Sequence, residues 1–134
     1  MKRLIQAGLL AAALLTASPA AAHAILIDST PAPLSHVPAG RVSVTFRYNS
    51  RIDADRSKLT LRHTEANGED AEQRLDLLPP GRPDVLMAAP TLAPGAYRIL
   101  WQVLAVDGHI TRGVVPFTVD AAPAPSAGAA ASAQ

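Results

Sequence analysis

Two short stretches of this 134-residue chain hold side chains whose types and spacing could do chemistry together. In AVDGHITRG, Asp107 and His109 flank Gly108. Residues two apart on an extended strand point to the same side, with Cα atoms roughly 6 to 7 Å apart, so this carboxylate and imidazole can converge on one metal ion. Gly108 removes a side chain between them and tolerates an irregular φ. Two donors make a weak site, and a plainer reading competes: Asp-Gly is a common hairpin dipeptide, with His109 an exposed polar residue beside it. The second stretch, AAAHAILIDSTPA, puts His23 directly after three alanines.

What precedes His23 gives it its interest. Lys2 and Arg3 are followed by an almost wholly apolar run from Leu4 to Ala17, and Ala20-Ala21-Ala22 supplies small residues at −3 and −1. Residues 1–22 are therefore read as a secretory signal peptide that is removed on export. The rival is an uncleaved membrane anchor of nearly sufficient length; Pro19 and the small-residue exit argue against it. Cleavage after Ala22 would make His23 the first residue. Its α-amine, with an unperturbed pKa of about 7.7 to 8.0, and its imidazole can then chelate one ion. Together with Asp107 and His109 this makes three nitrogens and one oxygen, a set that suits tetragonal Cu(II), with Zn(II) a weaker occupant.

Composition removes other classes. Without Lys2 and Arg3, the count of twelve basic and eleven acidic residues becomes ten against eleven. That balance provides no clustered basic face for nucleic acid or an anionic membrane. The chain has no cysteine, so thiolate zinc, iron–sulfur and blue-copper sites are excluded, and no disulfide forms. Neither a glycine-rich phosphate loop nor a GxSxG nucleophile motif is present.

The elements that must position these donors read as strands. Short β-branched and aliphatic runs alternate with Pro, Gly, Asn and Asp, and no segment keeps a 3.6-residue period. Ala24 to Asp28 is an opening strand. Val42, Val44 and Phe46 alternate with polar residues, as do Leu59 and Leu61 in the stretch 58–63, with Asn67-Gly68 as the following turn. Weaker strands are expected over 72–77 and 84–87. Tyr97, Ile99, Trp101 and Val103 share one face of the clearest strand, and Val115, Phe117 and Val119 one face of the last. Pro116 requires that last strand to be unpaired on one side there or to lie at a sheet edge. About seven strands in a hundred residues point to an all-β, immunoglobulin-like Greek-key sandwich or barrel over 23–119. Residues 120–134, rich in Ala, Pro and Ser, are expected to be a disordered tail.

On these residues the chain resembles the CopC family of periplasmic copper-binding, copper-resistance proteins. The resemblance is carried by HAILIDSTPAPLS, by VSVTF, and most specifically by LAPGAYRILWQVLAVDGHITRGVVPFTV. It implies a non-catalytic protein with a Greek-key β fold that holds one Cu(II) ion through His23, Asp107 and His109, so that the chain's start meets the DGH segment. It also implies copper homeostasis as the role and an inner-membrane copper-transport protein of the CopD type as partner; the protein itself is expected to be soluble and monomeric. Two departures stand out. Where some relatives carry a methionine-rich Cu(I) site, only Met87 remains here after residue 22, and it is read as an apolar packing residue. Ile25 stands where some relatives have a further histidine.

Other polar residues have plainer readings. His63 shares a face with Leu59 and Leu61 and belongs at the core margin with a hydrogen-bond partner. His36 belongs in an exposed loop. The acids from Asp53 to Glu72 lack calcium-loop spacing and form a solvated surface. Arg112 is a surface strand residue, with orientation of Asp107 as the alternative. Two rival functions keep the same fold: a copper monooxygenase-like enzyme using the N-terminal histidine, and a metal-free immunoglobulin-like interaction module in which DGH is only a turn.

Overall fold

The alternating patterns close into two packed layers. The computed structural model describes residues 23–121; the expected signal peptide and residues 122–134 of the expected tail lie outside the described residues. The strands are β1 (Leu26–Thr30), β2 (His36–Pro38), β3 (Gly40–Arg41), β4 (Val44–Tyr48), β5 (Ile52–Thr64), β6 (Asp70–Arg74), β7 (Val85–Ala88), β8 (Thr91–Leu92), β9 (Gly95–Ala105) and β10 (Ile110–Asp120). With the two- and three-residue β2, β3 and β8 set aside, seven remain among the described residues, as the sequence pattern requires. One sheet runs β1-β4-β7 and the larger runs β2-β10-β9-β5-β6, while β3 and β8 form a small ribbon.

The core lies between these sheets. Tyr97, Ile99, Trp101, Val103 and Ala105 from β9, Leu59 and Leu61 from β5, and Val115, Phe117 and Val119 from β10 are buried against Val44, Phe46 and Tyr48 of β4 and Leu86 of β7. Each such large side chain taken from water stabilises the fold by about 1.5 to 3 kcal/mol. The sandwich is thus held by the alternating residues that marked the strands.

Two details anchor the strands that carry the DGH segment. Gly113 pairs with Trp101 across β9 and β10. A Cβ at 113 would overlap Cζ2, Cε2 and Nε1 of Trp101, so the absent side chain is what lets the indole lie across the neighbouring strand. Its ring meets Tyr48 edge-on at 5.4 Å, tying the larger sheet to the smaller. Pro116 sits just before the stretch of β10 that pairs with β2, and its carbonyl accepts from the Leu34 N–H at 2.7 Å. Up to that point β10 has β9 on one side and no strand on the other, where a proline costs no ladder bond.

β5 is longer than the pattern suggests because its first half is irregular. Its register with β9 shifts between Asp53 and Lys58. Within the bulge, Asp53 Oδ1 accepts from the N–H groups of Asp55 and Arg56, and the buried Ser57 hydroxyl donates to the Asp53 carbonyl at 2.6 Å. The same hydroxyl accepts from the Leu104 N–H at 3.1 Å, standing in for a missing ladder carbonyl two residues before Val106.

Candidate metal centre

β9 and β10 are joined by a four-residue tip, Val106 to His109, and the chemistry sits on it. The Gly108 N–H donates to the Ala105 carbonyl and the Ala105 N–H to the His109 carbonyl, both at 2.9 Å, which closes the turn. Gly108 adopts φ of 86°, a left-handed conformation that a side chain would disfavour. DGH is thus a hairpin turn, and the same turn brings the Asp107 and His109 side chains together.

Asp107 divides its two oxygens. Oδ1 accepts from the His109 backbone N–H at 3.0 Å, which locks the carboxylate to its own turn. Oδ2 faces two imidazoles, with His109 Nδ1 at 3.0 Å and His23 Nδ1 at 3.9 Å. The two rings meet edge-on with centroids 4.6 Å apart. The turn's backbone is open to water, yet the Asp107 side chain is only 20% exposed because the imidazoles flank it; those of His23 and His109 are 52% and 60% exposed. The Asp107 carboxyl is held below the usual aspartate value, first by the His109 backbone N–H; partial desolvation opposes this, and the His109 and His23 side chains add to it.

One ligating atom from each of His23, Asp107 and His109 lies within 4.8 Å of the others, the one such group of three or more among the described residues. The spacing can be tested against a metal. With bonds of about 2.0 to 2.1 Å, adjacent donors of a tetragonal ion lie about 2.9 Å apart and opposite donors about 4.1 Å. The 3.0 and 3.9 Å separations from Asp107 Oδ2 lie near these values, while the three donors as a set span up to 4.8 Å, wider than either. Two nitrogens and an oxygen, all partly exposed, make an open site of borderline donors in which no sulfur takes part.

His23 reaches the turn because its chain segment is fixed behind it. Ala24 is fully buried. The Ile25 N–H donates to Asn49 Oδ1 at 2.8 Å, and the Asn49 N–H donates to the Ile25 carbonyl at 3.0 Å. Sequence reading placed Ala24 in the opening strand, which begins instead at Leu26, and missed Asn49; the available signal was an asparagine at the end of the strand VTFRY.

The other polar residues separate from this cluster. Arg112 donates from Nε to Gln102 Oε1 at 2.8 Å on the outer face of the larger sheet, so it orients glutamine and not Asp107. His36 lies in β2 and not in a loop, with Nδ1 2.8 Å from Asp120 Oδ1. His63 is at the core margin as expected, but its partner is the Tyr97 ring, at 5.1 Å between centroids. Met87 is half-buried in β7 opposite Thr45, between the buried Leu86 and Ala88, and is not among the apolar residues packed on the core. A groove of about 460 Å³ is lined by His36, His63, Tyr97 and Phe117, away from the DGH turn, and among the described residues its two histidines belong to no group of three ligating side chains.

Comparison with known proteins gives a consistent set of likenesses. A family model described as the CopC domain matches residues 26–120. Protein YobA of Escherichia coli K12 is 29% identical over 106 residues, covering 73% of this chain and 79% of the relative. Among solved structures, CopC from Methylosinus trichosporium OB3b superposes with a TM-score of 0.62 at 30% identity, over 74% of this chain and 95% of that one. PcoC, a methionine-rich copper resistance protein from Escherichia coli, gives a TM-score of 0.63 over 74% of this chain and 100% of its own, and at 24% identity speaks to the fold.

Proposed function

The chain belongs to the CopC family of periplasmic copper-resistance proteins, and from that premise we propose that it binds one Cu(II) ion per chain through His23, Asp107 and His109 and sequesters or transfers it in the periplasm. The family consists of non-catalytic metal carriers, so the monooxygenase-like reading is set aside. The observation that carries the proposal is the convergence of the three side chains from two separate parts of the chain on one point.

The fourth donor comes from processing. Attached to Ala22, the nitrogen of His23 is a peptide amide and a poor ligand; once residues 1–22 are removed it is an amine beside its own imidazole. The resulting three-nitrogen, one-oxygen set favours Cu(II) over the softer Cu(I), which prefers thioether and thiolate. Reduction is then a route to release, since it converts a well-matched ion into a poorly matched one. Exposure of both imidazoles supports hand-over, because an acceptor can replace them one at a time without opening the core. Exposed Ile25, Val106 and Ile110 lie within two residues of the donors in sequence and offer apolar contact to a membrane-bound acceptor of the CopD type. The domain that acts is 23–119, followed by the Ala/Pro/Ser-rich tail, and it works as a soluble monomer.

One glycine added before His23 tests the proposal. It moves the amine off the imidazole-bearing residue and leaves the core untouched. Competition titration is expected to show Cu(II) affinity lowered at least about 100-fold, or about 2.7 kcal/mol, with an unchanged apo melting temperature. Undiminished affinity rules the site out, and equal retention of Cu(I) and Cu(II) rules out release by reduction.

A further inference from the structure

Asn49 is the first residue past β4, where the chain bends away from the smaller sheet. Leu26 and Tyr48 are the last register partners of β1 and β4 on that side. One more rung follows, and its composition is unusual. The Asn49 N–H donates to the Ile25 carbonyl at 3.0 Å, as a ladder bond would, but the Ile25 N–H donates to the Asn49 side-chain oxygen at 2.8 Å. In an ordinary antiparallel rung both acceptors are main-chain carbonyls. Because the Ile25 group is a donor, the amide must turn its oxygen and not its nitrogen towards it, which fixes the side-chain orientation.

Both backbone polar groups of Ile25 are thus held by one residue. Immediately before it, Ala24 is fully buried, which leaves its backbone little room. Only the torsions of residues 23 and 24 then separate the clamp from the His23 imidazole. The hydrogen bonds of Asn49 in this clamp go to Ile25, and none goes to His23, Asp107 or His109.

From this geometry we infer that Asn49 is a positioning residue for the metal site. It holds the start of the domain in register so that His23 stands against Asp107 and His109 before an ion arrives. The inference rests on the Cu(II) reading above. Its physical content is preorganisation: a clamped His23 loses less freedom when it joins the other donors. Without the clamp, the amine–imidazole chelate survives, because both groups belong to one residue, but it binds apart from the carboxylate and the second imidazole.

The test uses the protein that begins at His23 and keeps its full C-terminal tail. Asn49→Ala is expected to weaken Cu(II) binding about 10- to 100-fold, the usual range for groups that orient ligands. Asn49→Asp, whose carboxylate also accepts from the Ile25 N–H, restores it to within about threefold of the parent. The Cu(II) electron paramagnetic resonance spectrum of Asn49→Ala moves towards that of Asp107→Ala, since both retain the His23 chelate. In a double-mutant cycle the two alanine substitutions are non-additive, Asp107→Ala costing little once Asn49 is gone. A readout without metal completes the set: amide hydrogen exchange at Ile25 in the apo protein rises about tenfold or more in Asn49→Ala and stays near parental in Asn49→Asp.

Faster exchange with parental copper affinity, or effects that simply add with those of Asp107→Ala, reduces Asn49 to a sheet rung and overturns the inference. A parent protein that binds no Cu(II) while the exchange pattern holds places the failure in the proposed function instead. Should the alanine variant not fold, Asn49→Ser, whose shorter hydroxyl reaches Ile25 poorly, is measured in its place with the same supporting and overturning results.

Discussion

Histidines meet an aspartate at both ends of β10, and only one end is proposed as a site. At the far end, Asp120 meets His36 at 2.8 Å across the parallel β2–β10 pairing. At the near end, Asp107 meets His109 at 3.0 Å and His23 at 3.9 Å. The far pair is the shorter contact and both its partners are more than half exposed, which makes it an ordinary surface contact worth at most about 1 kcal/mol. The near cluster differs in having a third donor from another part of the chain, and in a carboxylate already oriented by its own turn. About 33 Å of strand separates the two, at 3.3 Å per residue over the length of β10. A close His–Asp distance is thus poor evidence of function; three donors gathered about one carboxylate are better evidence.

The comparison breaks most directly on copper. His109→Ala is expected to lower Cu(II) affinity at least about 100-fold, above the cost of losing a mere orienting group, whereas His36→Ala leaves it unchanged and costs at most about 1 kcal/mol of stability. Isothermal titration of the two variants reads this, and equal losses in both would erase the distinction between the two ends.

A second substitution asks whether the near end depends on the core beneath it. Gly113→Ala forces a methyl into the Trp101 indole, and is expected to cost about 1 to 3 kcal/mol in urea unfolding, with a smaller effect on copper affinity than His109→Ala. Stability equal to the parent's would show that Trp101 repacks freely.

The smallest expected effect concerns pH. The Asp107 carboxyl is depressed, so its stabilising contribution is fully present above the aspartate value of the unfolded chain and is lost as pH falls through the lower folded value. Carboxyl NMR titration of the apo protein should place its midpoint below 3.8. Because the backbone N–H of His109 is the leading cause, His109→Ala should keep most of the depression. A midpoint at or above 3.8 would mean that the Asx turn does not hold in solution.

Much of the frame was legible because burial and alternation coincide. The inward faces of β9 and β10 follow directly from Tyr97, Ile99, Trp101 and Val103 and from Val115, Phe117 and Val119, which the core must take. Pro116 likewise announced a side of β10 without a strand. The first half of β5 was hidden because its bulge breaks the period-2 pattern and its residues are polar. β2, β3 and β8 were hidden for another reason: two or three residues carry no periodicity, and their pairing is decided by the strands they meet. His36 looked like a loop residue for that reason. Arg112, weighed as a partner for Asp107, faces outward two residues beyond Ile110 and finds Gln102 instead.

By itself the sequence determined the chemistry on offer: a carboxylate and an imidazole about one glycine, a histidine placed where processing can free its amine, and no sulfur donors beyond methionine. Only the tertiary structure decided that these donors share one point. Periodicity fixes which side of a strand a residue faces, but which strand ends adjoin depends on sheet order, on the buried Ala24 and on the rung that Asn49 completes. Those are contacts between distant segments, and the packing of the whole sandwich is what selects them.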